Sequence, residues 1–236
     1  MISSLRSITI AVALATAITL HAATTHYVTP NGAGAQDGTS WVNAFGNLQE
    51  AIDVSDSGDV IYLQSGVYTA GQPDTAELSQ YLITDKDNLT ISGGYAGSGN
   101  PGNRDGGSTI LQRDPASTRR IINANGSSLT LNTITIDDGK LIVKGSQGAG
   151  LRLANCNVTL TNCIIRNNSM TATNAASYYG GGIYASSGAL QIMAHQGLWG
   201  DFSLNSQRIH GESAEVKEDI GFKAFAVAVA AGLLYE

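Results

Sequence analysis

The chain has 236 residues, 28 of them glycine, and only 14% of its residues are charged. A net charge of −6 with 13 Lys plus Arg excludes the broad basic face that nucleic acid or an anionic lipid surface demands. The hydrophobic fraction of 42% is ordinary for a folded domain, so an acidic, turn-rich globule with a packed core is expected.

Met1 to Ser7 holds one basic residue, Arg6, and no acid. Ile8 to Leu20 is apolar apart from Thr9, Thr16 and Thr19, and Ala22 and Ala23 follow. This order of basic, apolar and small residues is that of a secretory signal peptide. It predicts cleavage near Ala22 or Ala23, removal of residues 1–22, and a mature protein that is secreted or held at the cell surface. A retained anchor helix is the alternative, but the run is short of the ~18 residues needed to span a bilayer.

One helix is expected next. Ala44, Phe45, Leu48, Ala51 and Ile52 fall on one face at helical spacing, with Ser40 or Asn43 as candidate caps. Asp53, Asp56 and Asp59 follow closely, and Asp56-Ser-Gly-Asp59 reads as the turn from helix to first strand. Too few oxygen ligands are local for a Ca²⁺ site there.

From Asp59 the chain reads as short strands separated by Gly, Asn, Asp and Ser. They are Asp59-Val-Ile-Tyr-Leu63, Tyr81-Leu-Ile-Thr84, Asn88-Leu-Thr-Ile-Ser92, Ser108-Thr-Ile-Leu111, Arg120-Ile-Ile122, Leu129-Thr-Leu-Asn-Thr-Ile-Thr-Ile136, Lys140-Leu-Ile-Val143, Val158-Thr-Leu160 and Ile164-Ile165. The two cysteines, Cys156 and Cys163, flank one of these runs. If 157–165 is a single strand, their Cα atoms stand about 20 Å apart. A disulfide needs about 7 Å, so two unpaired core thiols are expected.

Self-similarity is the strongest signal. Leu129-Thr-Leu-Asn-Thr-Ile-Thr-Ile136 aligns with Val158-Thr-Leu-Thr-Asn-Cys-Ile-Ile165, Asn88-Leu-Thr-Ile91 matches its onset, and Gly188-Ala-Leu-Gln-Ile192 opens the same way. Strand repeats of this period suit a solenoid in which each coil buries its apolar residues against the next. A β-sandwich also gives many short strands, but the scarcity of two-residue hairpin turns weighs against it.

Tyr27-Val-Thr-Pro-Asn-Gly-Ala-Gly-Ala-Gln-Asp-Gly-Thr-Ser-Trp41, Leu48-Gln-Glu-Ala-Ile52 and Gly58-Asp-Val-Ile-Tyr-Leu-Gln-Ser-Gly-Val-Tyr68 resemble the start of exported right-handed parallel β-helix proteins of pectin-lyase-like architecture. Ile165-Arg-Asn-Asn168, followed by Gly180-Gly-Gly-Ile-Tyr184, resembles the paired Phe-x-x-Asn and Gly-Gly-Ala-Ile motifs of polymorphic outer-membrane protein repeats, with Ile in place of Phe. The resemblance covers about residues 26–192. It implies an all-β fold, a right-handed parallel β-helix whose helix caps the first coil and shields an open sheet edge. It also implies an exported, adhesin-like relative of proteins some of which cleave acidic polysaccharides.

The expected organisation is a signal peptide at 1–22, a β-helix domain at 23–192 and an atypical tail at 193–236. From Met193 there is no Thr and one Asn, Asn205, and the repeat breaks at the same residue. The tail ends in an apolar run, Ala224 to Tyr235. It reads as a truncated or frameshifted segment, or else as a cap, since a solenoid needs one.

β-Helix enzymes acting on uronate polymers use outward carboxylates that hold Ca²⁺ or act as acid and base, with Arg or Lys beside the substrate. The weak candidates are Asp137 and Asp138 with Lys140 and Lys144, and Asp114 with Arg113, Arg119 and Arg120. Asp137 and Asp138 precede Gly139 and read first as a turn. As neighbours on a strand they point to opposite faces. Arg119 and Arg120 read as a solvated corner. Arg208-Ile-His210 is similar to the Arg-Ile-Lys of polygalacturonases, but their Asn-Thr-Asp and Gly-His-Gly partners are absent from the chain. His21 and His26 lie at the chain start and are poor candidates for a base.

Asn88, Asn125, Asn157 and Asn167 sit in Asn-x-Ser/Thr sequons and also suit solenoid corners. No catalytic, cofactor-binding or metal site is assigned, and Ca²⁺ enters only if a lyase reading holds. The expected function is non-catalytic: a secreted or surface protein that is adhesin-like or binds glycans, with polysaccharide and no nucleic acid as partner. The alternative is a lyase or hydrolase fragment acting on uronate polymers.

Overall fold

The computed structural model describes residues 22–69, 79–143, 145–171 and 181–193, together with the strand backbones at 197–198, 202–204 and 207–209. The signal-peptide region, Lys144, Gly180 and most of the tail therefore lie outside the described residues. The chain runs β1 (Thr25–Val28), a 3₁₀ turn (Trp41–Asn43) and α1 (Leu48–Val54), then β2 (Val60–Gln64), β3 (Gly66–Tyr68) and β4 (Ser79–Thr84). It continues with β5 (Leu89–Tyr95), β6 (Thr109–Gln112), β7 (Arg120–Asn125), β8 (Ser128–Asn132), β9 (Thr135–Asp137) and β10 (Lys140–Leu141). β11 (Leu151–Thr161), β12 (Ile164–Arg166), β13 (Ser169–Met170), β14 (Ile183–Met193), β15 (Gly197–Leu198), β16 (Phe202–Leu204) and β17 (Gln207–Ile209) follow.

The protein is mostly β, and its sheets are parallel except where β16 meets β17. The main sheet orders β1-β2-β5-β8-β11-β14 and curls, because β11 bends at Asn155. Its first half pairs with β7 and its second half with β8. β3, β6, β9 and β12 form a second parallel sheet, and β10 pairs with β13. This parallel pairing rules out the face-to-face antiparallel layers of a sandwich among the described residues.

The sequence repeat is the pairing register. Leu129 sits opposite Val158, and Ile136 opposite Ile165, 29 residues apart in each case. Leu89 sits opposite Leu129, and Val158 opposite Leu190. Alternate residues therefore form buried rows along the stack, such as Ile61, Ile91, Leu131, Leu160 and Ile192. Each row removes its methyl groups from water only because the next strand brings the same row above it.

The corners stack too. Asp85, Gly126, Asn155 and Ser187 each follow registered residues of β4, β7, β11 and β14, and all four have left-handed backbone. Thr133 with Asn162, and Asp138 with Asn167, repeat the device at two further corners. Asn and Asp tolerate this region through local side-chain hydrogen bonds, which is why polar residues mark the turns. The expected single strand over 129–136 is thus two strands broken at Thr133, and the run over 157–165 breaks at Asn162. The cysteine expectation survives that change: Cys156 and Cys163 are buried and free.

Asn168, the polar residue of the Ile-x-x-Asn motif, is buried and ties the turn after β12 to the end of β9. Its Oδ1 accepts from Gly139 N at 2.8 Å, and its Nδ2 donates to Ile136 O at 3.1 Å. Gly150 lies over it so closely that a Cβ there would sit 2.9 Å from the Asn168 amide and 2.4 Å from Gly182 O. Only glycine allows that approach.

The helix begins at Leu48, later than expected. Its cap is Asn47, whose side chain accepts from Gln49 N at 2.9 Å, not Ser40 or Asn43. Asn43 instead receives Ala35 N, and Ala44 and Phe45 precede the helix in extended backbone. Leu48, Ala51 and Ile52 bury one face against the core. Buried Gln49 closes the edge of β4: its Nε2 donates to Leu82 O at 2.9 Å, and its Oε1 accepts from Leu82 N at 2.8 Å. A side-chain amide thus takes the place of the missing neighbour strand.

Candidate functional site

Polar residues on one face of β5, β8, the second half of β11 and the end of β14 line up in register, with Ser92 buried among them. Thr90, Thr130, Thr159 and Gln191 stand in one registered row, and Ser92, Asn132 and Thr161 in the next. Rungs of a sheet lie about 4.8 Å apart, so hydroxyls and amides recur at that step along the stack. A shallow hollow of about 340 Å³ lies over the first row, reaching Asn88, Ser128 and Asn157. A second groove of about 480 Å³ lies at the corner beyond the second row. Asn132, Thr133, Thr135, Thr161 and Asn162 line it on one side, and Arg104 and Gly106 to Thr109 supply the other wall.

That wall is an outward loop at 96–107, held by an aromatic stack. Tyr27, Trp41, Tyr62 and Tyr95 contact each other in series, with centroids 4.8 to 6.1 Å apart. Trp41 Nε1 donates to Pro101 O at 2.9 Å, and Tyr27 OH donates to Asn100 Oδ1 at 2.7 Å. Arg104 lies over the Tyr95 ring with its Cζ 5.1 Å from the centroid. Its Nη2 donates to Ser92 Oγ at 2.9 Å, and its Nη1 to Thr133 Oγ1. Arg104 is exposed and lines the groove, and its guanidinium is oriented by these bonds to the sheet. Next to it Asp105 accepts from Ser65 Oγ at 2.6 Å and from Gly107 N at 2.8 Å, and these bonds hold its carboxyl below the usual range.

The candidates expected from sequence lie elsewhere. Asp137 ends β9, buried, with Arg166 Nε and Nη2 donating to its Oδ2 at 3.0 and 2.8 Å and Asn167 Nδ2 to its Oδ1 at 2.8 Å. Asp138 turns the left-handed corner, and its Oδ2 accepts from Arg113 Nη2 at 2.7 Å. The structure therefore joins Arg113 to Asp138, which the sequence had placed in separate groups. Arg113 also donates to the carbonyls of Asp114 and Pro115, holding that loop. Asp114 caps its own turn through Ala116 N. Arg119 offers its carbonyl to Lys140 N, and Arg120 is buried at the start of β7. Asp114, Asp137, Asp138 and Arg113 are thus engaged with arginine, Asn167 or turn backbone, buried Arg120 does not sit at the solvated corner expected of it, and none of the candidates lines the groove.

Asp59 closes the turn before β2. Burial pushes its carboxyl up, but N–H donors from Thr24 and Asp56 and the His26 ring outweigh this, and its pKa is lowered. Asp53 and Asp56 do not join it around a common point, and no three metal-ligating side chains cluster among the described residues. His21 and His210 lie outside the described residues, as do the side chains of 207–209.

Arg104, Asn132 and Thr133 escaped the sequence reading. Arg104 belongs to a stretch without periodicity, whose one trace is the offset of 40 between Leu89 and Leu129 against 29 between Leu129 and Val158. An insertion of that length must fold outward, since the strands either side remain paired.

No family model matches the chain, and no curated protein matches it. Among solved structures it is similar to a protein from Parabacteroides merdae ATCC 43184 assigned as a glycosyl hydrolase, with 10% identity and a TM-score of 0.38 over 70% of this chain and 91% of that one. It is also similar to a rhamnogalacturonan lyase, with 16% identity and a TM-score of 0.38 over 76% of this chain. The matched region is 57% of the lyase's length. The fold and groove define a mostly β protein built on a curled parallel sheet, with a hydroxyl- and amide-lined outer face.

Proposed function

We propose that this protein is an exported right-handed parallel β-helix of pectin-lyase-like architecture, similar to polymorphic outer-membrane protein repeats, and that it binds polysaccharide on its outer face. Residues 1–22 direct export in this reading, 23–192 form the β-helix, and 193–236 are an atypical tail. The observation that carries it is the registered strip from Thr90, Thr130 and Thr159 to Asn132 and Thr161, ending at the Arg104 guanidinium. Hydroxyls and amides spaced along an open groove exchange hydrogen bonds with sugar hydroxyls, and an oriented guanidinium pairs with a carboxylate. Asp105, beside Arg104, is held by Ser65 and Gly107, and Asp137 and Asp138 are held by Arg166 and Arg113, so the groove is built for holding a chain more than for acid–base work.

The test is binding of the full chain to polygalacturonate and alginate, with dextran as an uncharged control. Retention of an acidic polymer at unchanged chain length is expected, weakened about tenfold by Arg104→Ala, in keeping with one charge-assisted contact. Failure to retain any of the three polymers refutes the reading. Shortening of polygalacturonate or alginate, with or without Ca²⁺, turns it to the alternative, cleavage of uronate polymers.

A further inference from the structure

We propose that the Ala23–Thr24 peptide bond is a processing site, and that the ammonium released on Thr24 is the ion-pair partner of the buried Asp59 carboxylate. The inference rests on the export reading above and extends it to one bond and one partner. Thr24 N lies 2.6 Å from Asp59 Oδ1, and Asp59 is 1% exposed. Asp59 Oδ2 accepts from Asp56 N at 2.8 Å and faces His26 Nε2 at 3.3 Å. The sheet starts at this point: Val60 N donates to Thr24 O at 3.0 Å, and Thr25 registers with Val60. The Thr24 backbone is therefore fixed against the sheet, and Ala22, Ala23 and Thr24 are all exposed.

A desolvated carboxylate gains most from a donor that carries charge. Processing turns a neutral amide donor into such a donor without moving the nitrogen. An endopeptidase of the signal-peptide type adds water across the Ala23–Thr24 C–N bond. The water oxygen ends on the Ala23 carboxylate, and the Thr24 nitrogen leaves as an amine that takes up a proton and is ammonium at neutral pH. Ala23 supplies the small residue directly before the bond, while His21 stands three places upstream where such sites favour another small residue. Cleavage one residue earlier would set the charge on Ala23, one Cα step of about 3.8 Å further along the chain.

Two measurements test this. The exported protein is isolated and its intact mass gives the first residue, expected to be Thr24. Full chains starting at Thr24, with the amine free or acetylated, are then unfolded in urea, each with and without Asp59→Asn. The free-amine chain is expected to show an unfolding constant about tenfold below that of the acetylated chain, a gap that Asp59→Asn closes. The acetylated chain keeps the Thr24 N–H bond of this structure, so that comparison stands even if Asp59→Asn does not fold. A first residue other than Thr24 overturns the site while leaving export intact, and equal stability of free and acetylated chains overturns the ion pair. A chain found only inside the cell with residues 1–22 attached defeats the export reading and this inference with it.

Discussion

Replacing Gln49 by Met tests whether one helix side chain stands in for a missing strand. Gln49 is 4% exposed, and its amide makes two bonds to the main chain of Leu82 and a third to Asp53 Oδ1 at 2.8 Å. Met fills a similar volume without a donor or strong acceptor, so packing changes little while Leu82 N and O lose their partner. Two net hydrogen bonds are worth about 1 kcal/mol each, and a buried unmet group costs about 1–3 kcal/mol more. Leu82 is half-buried, so water recovers part of that penalty. The expected loss is about 2–3 kcal/mol, read as a lower urea midpoint at unchanged slope. Glu50→Met, one residue along on the exposed side, is the control and should stay within about 0.5 kcal/mol of the parent. A Gln49→Met protein as stable as its control would refute the edge-capping role.

Two further outcomes follow from burial and charge. Asp59 has its carboxyl lowered in the folded state, so its contribution is fully present above the unfolded value near pH ~3.9 and is lost as pH falls through the folded value. Asp59→Asn should therefore be less stable at neutral pH but show a shallower loss below about pH 4, measured as thermal midpoint against pH. Parallel acid curves for the two proteins would refute this. Asp37 and Asp105, also lowered by local hydrogen bonds, keep some acid dependence in both. Burial raises both thiols, that of Cys163 to about 11, so neither should react with iodoacetamide in the folded protein and both should react in urea. Rapid labelling of the folded chain, followed by mass spectrometry, would contradict the buried placement.

How far the fold could be read differs from place to place. The rows of the core were legible because each inward position must be apolar in every registered strand, which wrote the 29-residue offset between Leu129 and Val158 directly into the chain. The corners were written more faintly. Apolar residues at 129 and 131 are followed by 134 and 136, a slip of phase that marks the left-handed turn at Thr133. The slip recurs at 158, 160, 163 and 165 around Asn162. Read as unbroken alternation, both passages passed for single strands. The helix cap failed similarly, since Ala44 and Phe45 fit the apolar stripe although their backbone is extended.

The groove belongs to the other kind of information. Its floor comes from β5, β8 and β11, its wall from the loop at 96–107, and the loop is held by Trp41 and Tyr27, some sixty or more residues earlier. Likewise Arg113 meets Asp138, and Arg166 meets Asp137, only because β9 pairs with β6 on one side and β12 on the other. Apolar burial repeats and so leaves a period that a linear string can carry. A guanidinium finds its carboxylate or its groove once, at a distance along the chain that only the pairing of the strands decides.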